Sequence, residues 1–249
     1  MKLIPAIDLK DNNCVRLKKG NENSAIIYNK NPSDQAIFFE NNGCERIHLV
    51  DLDAAFGRPH VNRDTIIKIR KSTKVPIQLG GGVRNKDDVN FYFDNGIDYL
   101  VIGSMAVKNV KIVKEIADEF QNKIYIAIDV RKNNQIMISG WVENSKLKST
   151  NINETYKDSK IRGYIITNIE RDGMMKGPDK NFINSHLQFY NKPLIFSGGF
   201  SDYESLKFLS KKINSLKTTN QVEGVIIGKA IYSGTIKINQ AIEMLKKYA

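Results

Sequence analysis

This 249-residue chain is short of metal and disulfide chemistry. Its two cysteines, Cys14 and Cys44, have no metal-type spacing, and its three histidines, His48, His60 and His186, are scattered. No ligand cluster with the usual zinc spacings can be read, and a disulfide scaffold is not expected. No apolar run approaches the ~20 residues of a membrane span. Met1-Lys2 is followed by only a few apolar residues before Asp8, so no signal peptide is read and a cytoplasmic protein is expected. There is no dinucleotide fingerprint, no Ser/Cys–His arrangement and no low-complexity linker. One domain spanning 1–249 is expected. Acidic residues are also under-represented, 27 against 38 basic ones, for a net charge of +11. Such a field attracts polyanions. The basic residues are spread along the chain without interleaved aromatics, so a small phosphorylated substrate is a better expectation than nucleic acid.

What is present is a rhythm of eight apolar runs: KLIPAID, RIHLVDL, VPIQLG, DYLVIG, KIYIAID, RGYIIT, PLIFSG and EGVIIG. They are Val/Ile-rich and apolar almost throughout, as parallel strands buried on both faces must be. Helical segments separate them. Asn85–Asn95 carries an Asn cap, acids in the first turn and a following Gly96; Ser201–Lys211 shows a capping-box pattern of Ser201 and Glu204. Eight strand–helix units in this length predict an α/β fold of the (β/α)8 TIM-barrel type. The alternative, an open doubly wound sheet, usually has a glycine-rich turn after its first strand, and IPAIDLKD has none.

The chain also repeats itself. PIQLGGGVRN at Pro76 and PLIFSGGFSD at Pro193 share a proline, an apolar run and a glycine pair, 117 positions apart. KLIPAIDLKDNN lies over KIYIAIDVRKNN, with Asp8 over Asp129; LVDLDAAFGRP lies over IITNIERDGMMKGP; VIGSMAV lies over IIGKAIY. Two duplicated half-barrels, about 1–122 and 123–249, are therefore expected. In such barrels the residues just after each strand face the site, and the turns after strands seven and eight commonly hold phosphate. Gly198-Gly199 and Gly228-Lys229 occupy those turns, and the repeat sets Gly81-Gly82 and Gly103-Ser104 opposite them. Glycines let backbone N–H groups approach an anion, and helix starts add a positive dipole. The plainer reading of one Gly-Gly pair is a tight turn. Two matched pairs predict a substrate with a phosphate at each end, and replacing Gly82 or Gly199 by valine is expected to impair binding more than folding. Asp8 and Asp129 then end strands on opposite sides of the mouth, where a pair of carboxyl groups suits cofactor-free acid–base chemistry. The plainer reading is that each caps a helix or pairs with Lys10 or Arg131.

The stretches IPAIDLKDNNCVRL, HLVDLDAAFG, IQLGGGVRN, VIGSMAV, AIDVRKN, SGW, ITNIERDGMMKGP, FSGGFSD and GVIIGKAIYSG resemble the phosphoribosylformimino-5-aminoimidazole carboxamide ribotide isomerases of histidine biosynthesis. The sister cyclases share the duplicated barrel, but IPAIDL and Ser139-Gly140-Trp141 favour the isomerases. The resemblance implies an Amadori rearrangement of the bisphosphorylated aminoaldose ProFAR to the aminoketose PRFAR, with Asp8 as base, Asp129 as acid and Thr167 as a supporting hydroxyl. It also implies that Trp141 is a lid residue and that Arg16 clamps a phosphate or a carboxylate. Asp51, Asp172 and Arg84 either join the site or only hold loops and caps. Ala54, Asn168 and Met174-Met175 depart from the usual Gly, Asp and Thr-Leu. A monomer is expected. Two alternatives stay open: an enzyme that also isomerises phosphoribosylanthranilate, and a non-catalytic binder of phosphorylated ligands or nucleic acid.

Overall fold

A computed structural model describes residues 1–18, 20–131, 134–215 and 222–247. Lys132 and Asn133, part of the repeat motif after Arg131, lie outside the described residues. The strands are β1 (Lys2–Lys10), β2 (Asn13–Lys18), β3 (Asn21–Asn29), β4 (Ile47–Asp51), β5 (Ile77–Gly80), β6 (Tyr99–Ile102), β7 (Ile124–Arg131), β8 (Gln135–Ile138), β9 (Glu143–Lys148), β10 (Gly163–Asn168), β11 (Leu194–Ser197) and β12 (Val222–Ile227). Eight of them pair in parallel in the order β10-β11-β12-β1-β4-β5-β6-β7, and β7 returns to β10 to close the ring. These eight coincide with the eight apolar runs, and helices surround them. The fold is a (β/α)8 TIM barrel.

Alternation along each strand decides what faces inward. On β1, Leu3, Ile7 and Leu9 join the large core beneath the helices, whereas Ile4 and Ala6 join a smaller cluster inside the barrel. Ile4, at 0% exposure, represents about 2–3 kcal/mol of hydrophobic stabilisation by itself. Asp8 continues the inward series. On β7, Tyr125 and Ala127 face inward and Asp129 follows. The same period thus delivers both carboxyls to the mouth.

The four remaining strands were not read from sequence. β2 and β3 form an antiparallel hairpin on the end of β1, and β8 and β9 form one on the end of β7. β9 is largely exposed and polar, and β3 is largely exposed although it carries the apolar run Ala25-Ile26-Ile27-Tyr28. Trp141 therefore sits in the turn of a hairpin rather than in a long irregular loop. Asn85 caps the helix Lys86–Asp94 by accepting from the Asp88 N–H at 2.8 Å. The cap ahead of the helix Tyr203–Ser215 is Asp202, not Ser201. Asp202 accepts from the Ser205 N–H at 2.8 Å, while the Ser201 hydroxyl is taken by the Gly177 N–H at 3.1 Å.

Candidate active site

A cavity of about 860 Å³ opens at the C-terminal ends of the barrel strands, and every site residue named from sequence except Asp51 lines it. In the ring, β1 lies across from β7, and the β5–β6 turns lie across from the β11–β12 turns. The two carboxyls and the two glycine turns therefore alternate around one mouth.

The turns match in backbone detail. Gly81 and Gly198 have φ of 93° and 88°, and Gly82 and Gly199 have 73° and 95°. Gly103 and Gly228 have nearly identical φ/ψ, −100°/−94° and −107°/−95°, and each precedes the first residue of a short helix, Ser104 or Lys229. A side chain at Gly81 would collide with the Asp51 carbonyl, and one at Gly198 with the Asn168 carbonyl. Asp51 and Asn168 are themselves 117 positions apart. Gly82 lies against Ala54, and a Cβ on Gly199 would stand 2.8 Å from the Gly177 carbonyl. The backbone itself requires these glycines, so a valine there would damage folding as well as binding, contrary to the expectation from sequence. Among the described residues the N–H groups of Gly82 and Gly199 meet no protein acceptor, which leaves a donor free in each turn.

Asp8 pairs with neither Lys10 nor a helix end. Arg16 on β2 donates from Nη1 to its Oδ2 at 2.6 Å and from Nη2 to the Ala6 carbonyl. A Cβ at Gly228 would stand 2.7 Å from the Arg16 guanidinium carbon, so the arginine reaches from Asp8 into the second glycine turn. Its buried Nε has no partner among the described residues. Lys229 donates from Nζ to the Gly173 carbonyl at 3.1 Å.

Asp129 has uncharged partners. The Trp141 indole N–H donates to its Oδ2 at 2.8 Å, and Thr167 stands beside it at the same register on β10. Burial raises its pKa above the ordinary aspartate value, and the polar groups of Trp141 and Thr167 only moderate the rise. Ser139 and Trp141 flank Gly140 in the left-handed region, with φ of 56°, 65° and 71° along the three residues. Ser139 is tied to the Ser104 hydroxyl at 2.8 Å, and a Cβ on Gly20 would stand 2.5 Å from the indole, so the two hairpins meet over the mouth.

Asp51 is a loop holder. It is fully buried and accepts from the Ala54 N–H at 3.0 Å and from Asn62 at 2.7 Å. Arg84 donates to the Ala54 carbonyl at 2.9 Å at the cavity edge. Asp172 was under-read: burial, with the Asp8 charge close by, lifts its pKa to about 6 even though Arg16 opposes the shift. Spacing carried no sign of this, because the crowding of three carboxyls is a property of the closed ring. His48 was also missed as a wall residue. The available signal was a polar residue at an inward position of an otherwise apolar strand. His60 and His186 lie elsewhere, His186 packed between Phe182 and Tyr190. Among the described residues no group of three His, Cys, Asp or Glu gathers to hold a metal, and no helix is long and apolar enough to cross a membrane.

Comparison with known proteins identifies the family of the chain. The family described as histidine biosynthesis protein matches residues 2–237. A relative from Nautilia profundicola is 40% identical over 242 residues, 97% of this chain and 98% of its own. One from Prochlorococcus marinus (strain AS9601) is 38% identical, covering 98% and 94%, and one from Magnetococcus marinus is 35% identical, covering 100% and 99%. All three are named 1-(5-phosphoribosyl)-5-((5-phosphoribosylamino)methylideneamino)imidazole-4-carboxamide isomerase. With the barrel, the paired turns and near full-length similarity in agreement, the chain belongs to the histidine biosynthesis protein family.

Proposed function

We propose that this protein is the aldose–ketose isomerase of histidine biosynthesis that converts the bisphosphorylated aminoaldose ProFAR to the aminoketose PRFAR. The observation that carries the reading is one mouth in which two glycine turns alternate with two carboxyls. Gly81, Gly82, Gly103 and Ser104 take one phosphate; Gly198, Gly199, Gly228 and Lys229 take the other. Free N–H donors and helix starts supply the attraction, and the +11 charge raises the encounter rate.

The chemistry needs an acid and a base in one pocket. Asp129, with its raised pKa and no cationic partner, donates a proton to the ring oxygen as the C1–O bond breaks. The nitrogen lone pair then forms the C=N bond. Asp8 takes the proton from C2 and gives an enolamine, which becomes the ketone as the C2 hydroxyl gives up its proton and C1 gains one. No atom is added or lost. Thr167 and Trp141 hold Asp129, and Trp141 also closes the mouth and excludes water. Arg16 orients Asp8 and reaches the second phosphate. Asp172, lifted to about 6, stands near both carboxyls and keeps its proton only below that pH. The protein acts as one domain of two half-barrels, as a monomer in the cytoplasm, without a cofactor.

The test is turnover of purified protein with ProFAR, with phosphoribosylanthranilate assayed in parallel. Conversion of ProFAR alone is expected. Conversion of both would make the enzyme dual, and conversion of neither would contradict the reading.

A further inference from the structure

The floor of the cavity holds a polar group whose proton position is set from below. Ala6, Val101, Ala127, Ile165 and Ile226 form an apolar floor, and His48 on β4 stands among them. It lies at the register of Ala6 and Gln78, one inward position below the level of Asp8. Beneath it, Arg46 is almost completely buried. Arg46 donates to Glu223 at 2.8 Å and to the Tyr125 hydroxyl at 2.7 Å, and it stacks over Tyr99 at 4.4 Å. Its Nη1 also reaches Gln78 Oε1 at 3.4 Å.

Donor and acceptor rules fix the rest. A guanidinium has only donors, so the Gln78 amide turns its oxygen to Arg46 and its NH2 away. That NH2 lies 3.0 Å from His48 Nδ1. An NH2 can only donate here, so Nδ1 is the unprotonated acceptor and a neutral ring carries its proton on Nε2. Burial, with help from the Arg16 charge, pushes the His48 pKa down to about 3, so the ring is neutral at working pH. Nε2 meets no acceptor among the described residues.

We propose that Arg46 and Gln78 are positioning residues that lock His48 as an Nε2–H donor on the cavity floor, and that this N–H donates to the sugar oxygen on the carbon Asp8 deprotonates. The second half of this proposal rests on the function proposed above. That oxygen stays a hydroxyl as the C2 proton leaves and becomes the ketone when its own proton is lost and C1 gains one. A neutral imidazole beside a carboxylate base is suited to polarising it, because it adds no cation that would compete for the base.

The lock is read without turnover by long-range 15N–1H NMR of the three histidines. The expected spectrum shows His48 protonated at Nε2 and unprotonated at Nδ1 through neutral pH. Gln78→Glu places an acceptor against Nδ1 with its other oxygen on Arg46, so the ring must move its proton to Nδ1. The expected result is that altered signature together with a loss in kcat of roughly 100-fold, with KM little changed. Should Gln78→Glu fail to fold, His48→Gln and His48→Leu replace it: the glutamine keeps a donor and retains more kcat than the leucine. A wild-type ring protonated at Nδ1, a tautomer change without loss of kcat, or equal losses in the two His48 variants would overturn the proposal. An Nε2–H ring in a wild-type protein that does not convert ProFAR would uphold the lock and count against the function.

Discussion

The two halves of the barrel present the same backbone and opposite electrostatics. Each begins with a strand that ends in an inward aspartate and continues into an antiparallel hairpin. In the first half the hairpin supplies Arg16, and the residue level with Asp8 on the next barrel strand is the apolar Val50. In the second half the hairpin supplies the Trp141 indole, and the residue level with Asp129 is Thr167. Val50 and Thr167 are 117 positions apart, the offset of the glycine pairs. One carboxyl thus faces a guanidinium and the other faces neutral donors in a buried wall. A single scaffold written twice gains a base and an acid through what its hairpins contribute.

The largest effects fall where the halves differ. Asp8→Asn is expected to lower kcat/KM by about 10²- to 10⁴-fold while product affinity, measured by calorimetry, stays close to wild type. Lost affinity of the same size would make Asp8 a binding residue. Where the halves agree, they should respond alike. Gly81→Ala and Gly198→Ala force a Cβ onto the Asp51 and Asn168 carbonyls at positive φ, and each is expected to cost on the order of 3 kcal/mol in urea unfolding. A large difference between them would break the equivalence of the turns.

Trp141→Phe removes the indole bond that moderates the raised pKa of Asp129. The carboxyl should then hold its proton to still higher pH, and the alkaline limb of the kcat/KM profile should move upward. An unmoved limb would show that this bond does not tune the acid.

Asp172 gives the smallest effect, one of stability. Its pKa in the folded state is about 6, against 3.8 ordinarily, so between those values the folded chain binds a proton that the unfolded chain has released. Stability therefore falls as pH rises through that window, and the burden is complete above about pH 6. Asp172→Asn is expected to raise stability by about 1–2 kcal/mol at pH 7.5, a gain that vanishes below about pH 4. An unchanged difference across pH would contradict the shift.

The barrel was legible because strands buried on both faces must be apolar runs, and eight such runs stand out. The hairpins were not, because β9 is polar and the short run Ala25-Ile26-Ile27-Tyr28 of β3 faces solvent, without the length of a barrel strand or flanking turns that announce one. The ends of strands could be read, so Asp8, Asp129 and the glycine turns were named by position, and Thr167 by family resemblance. What each touches could not. The Arg16–Asp8 pair spans eight positions within a hairpin that the sequence did not announce, and the pressure on Asp172 arises only when the closed ring crowds it against Asp8 and Asp129. The packing of Gly82 against Ala54 and of Gly199 against the Gly177 carbonyl is likewise a fact of the folded chain, and it adds a folding effect to the expected binding one.

The division of labour is tested most directly by the primary kinetic isotope effect with substrate deuterated at C2, compared between Asp8→Asn and Asp129→Asn. If Asp8 is the base and Asp129 the acid, proton removal limits the first variant and its isotope effect is full. Ring opening then limits the second, and its effect is suppressed. Equal isotope effects in the two variants would contradict the assignment of the two carboxyls to separate steps.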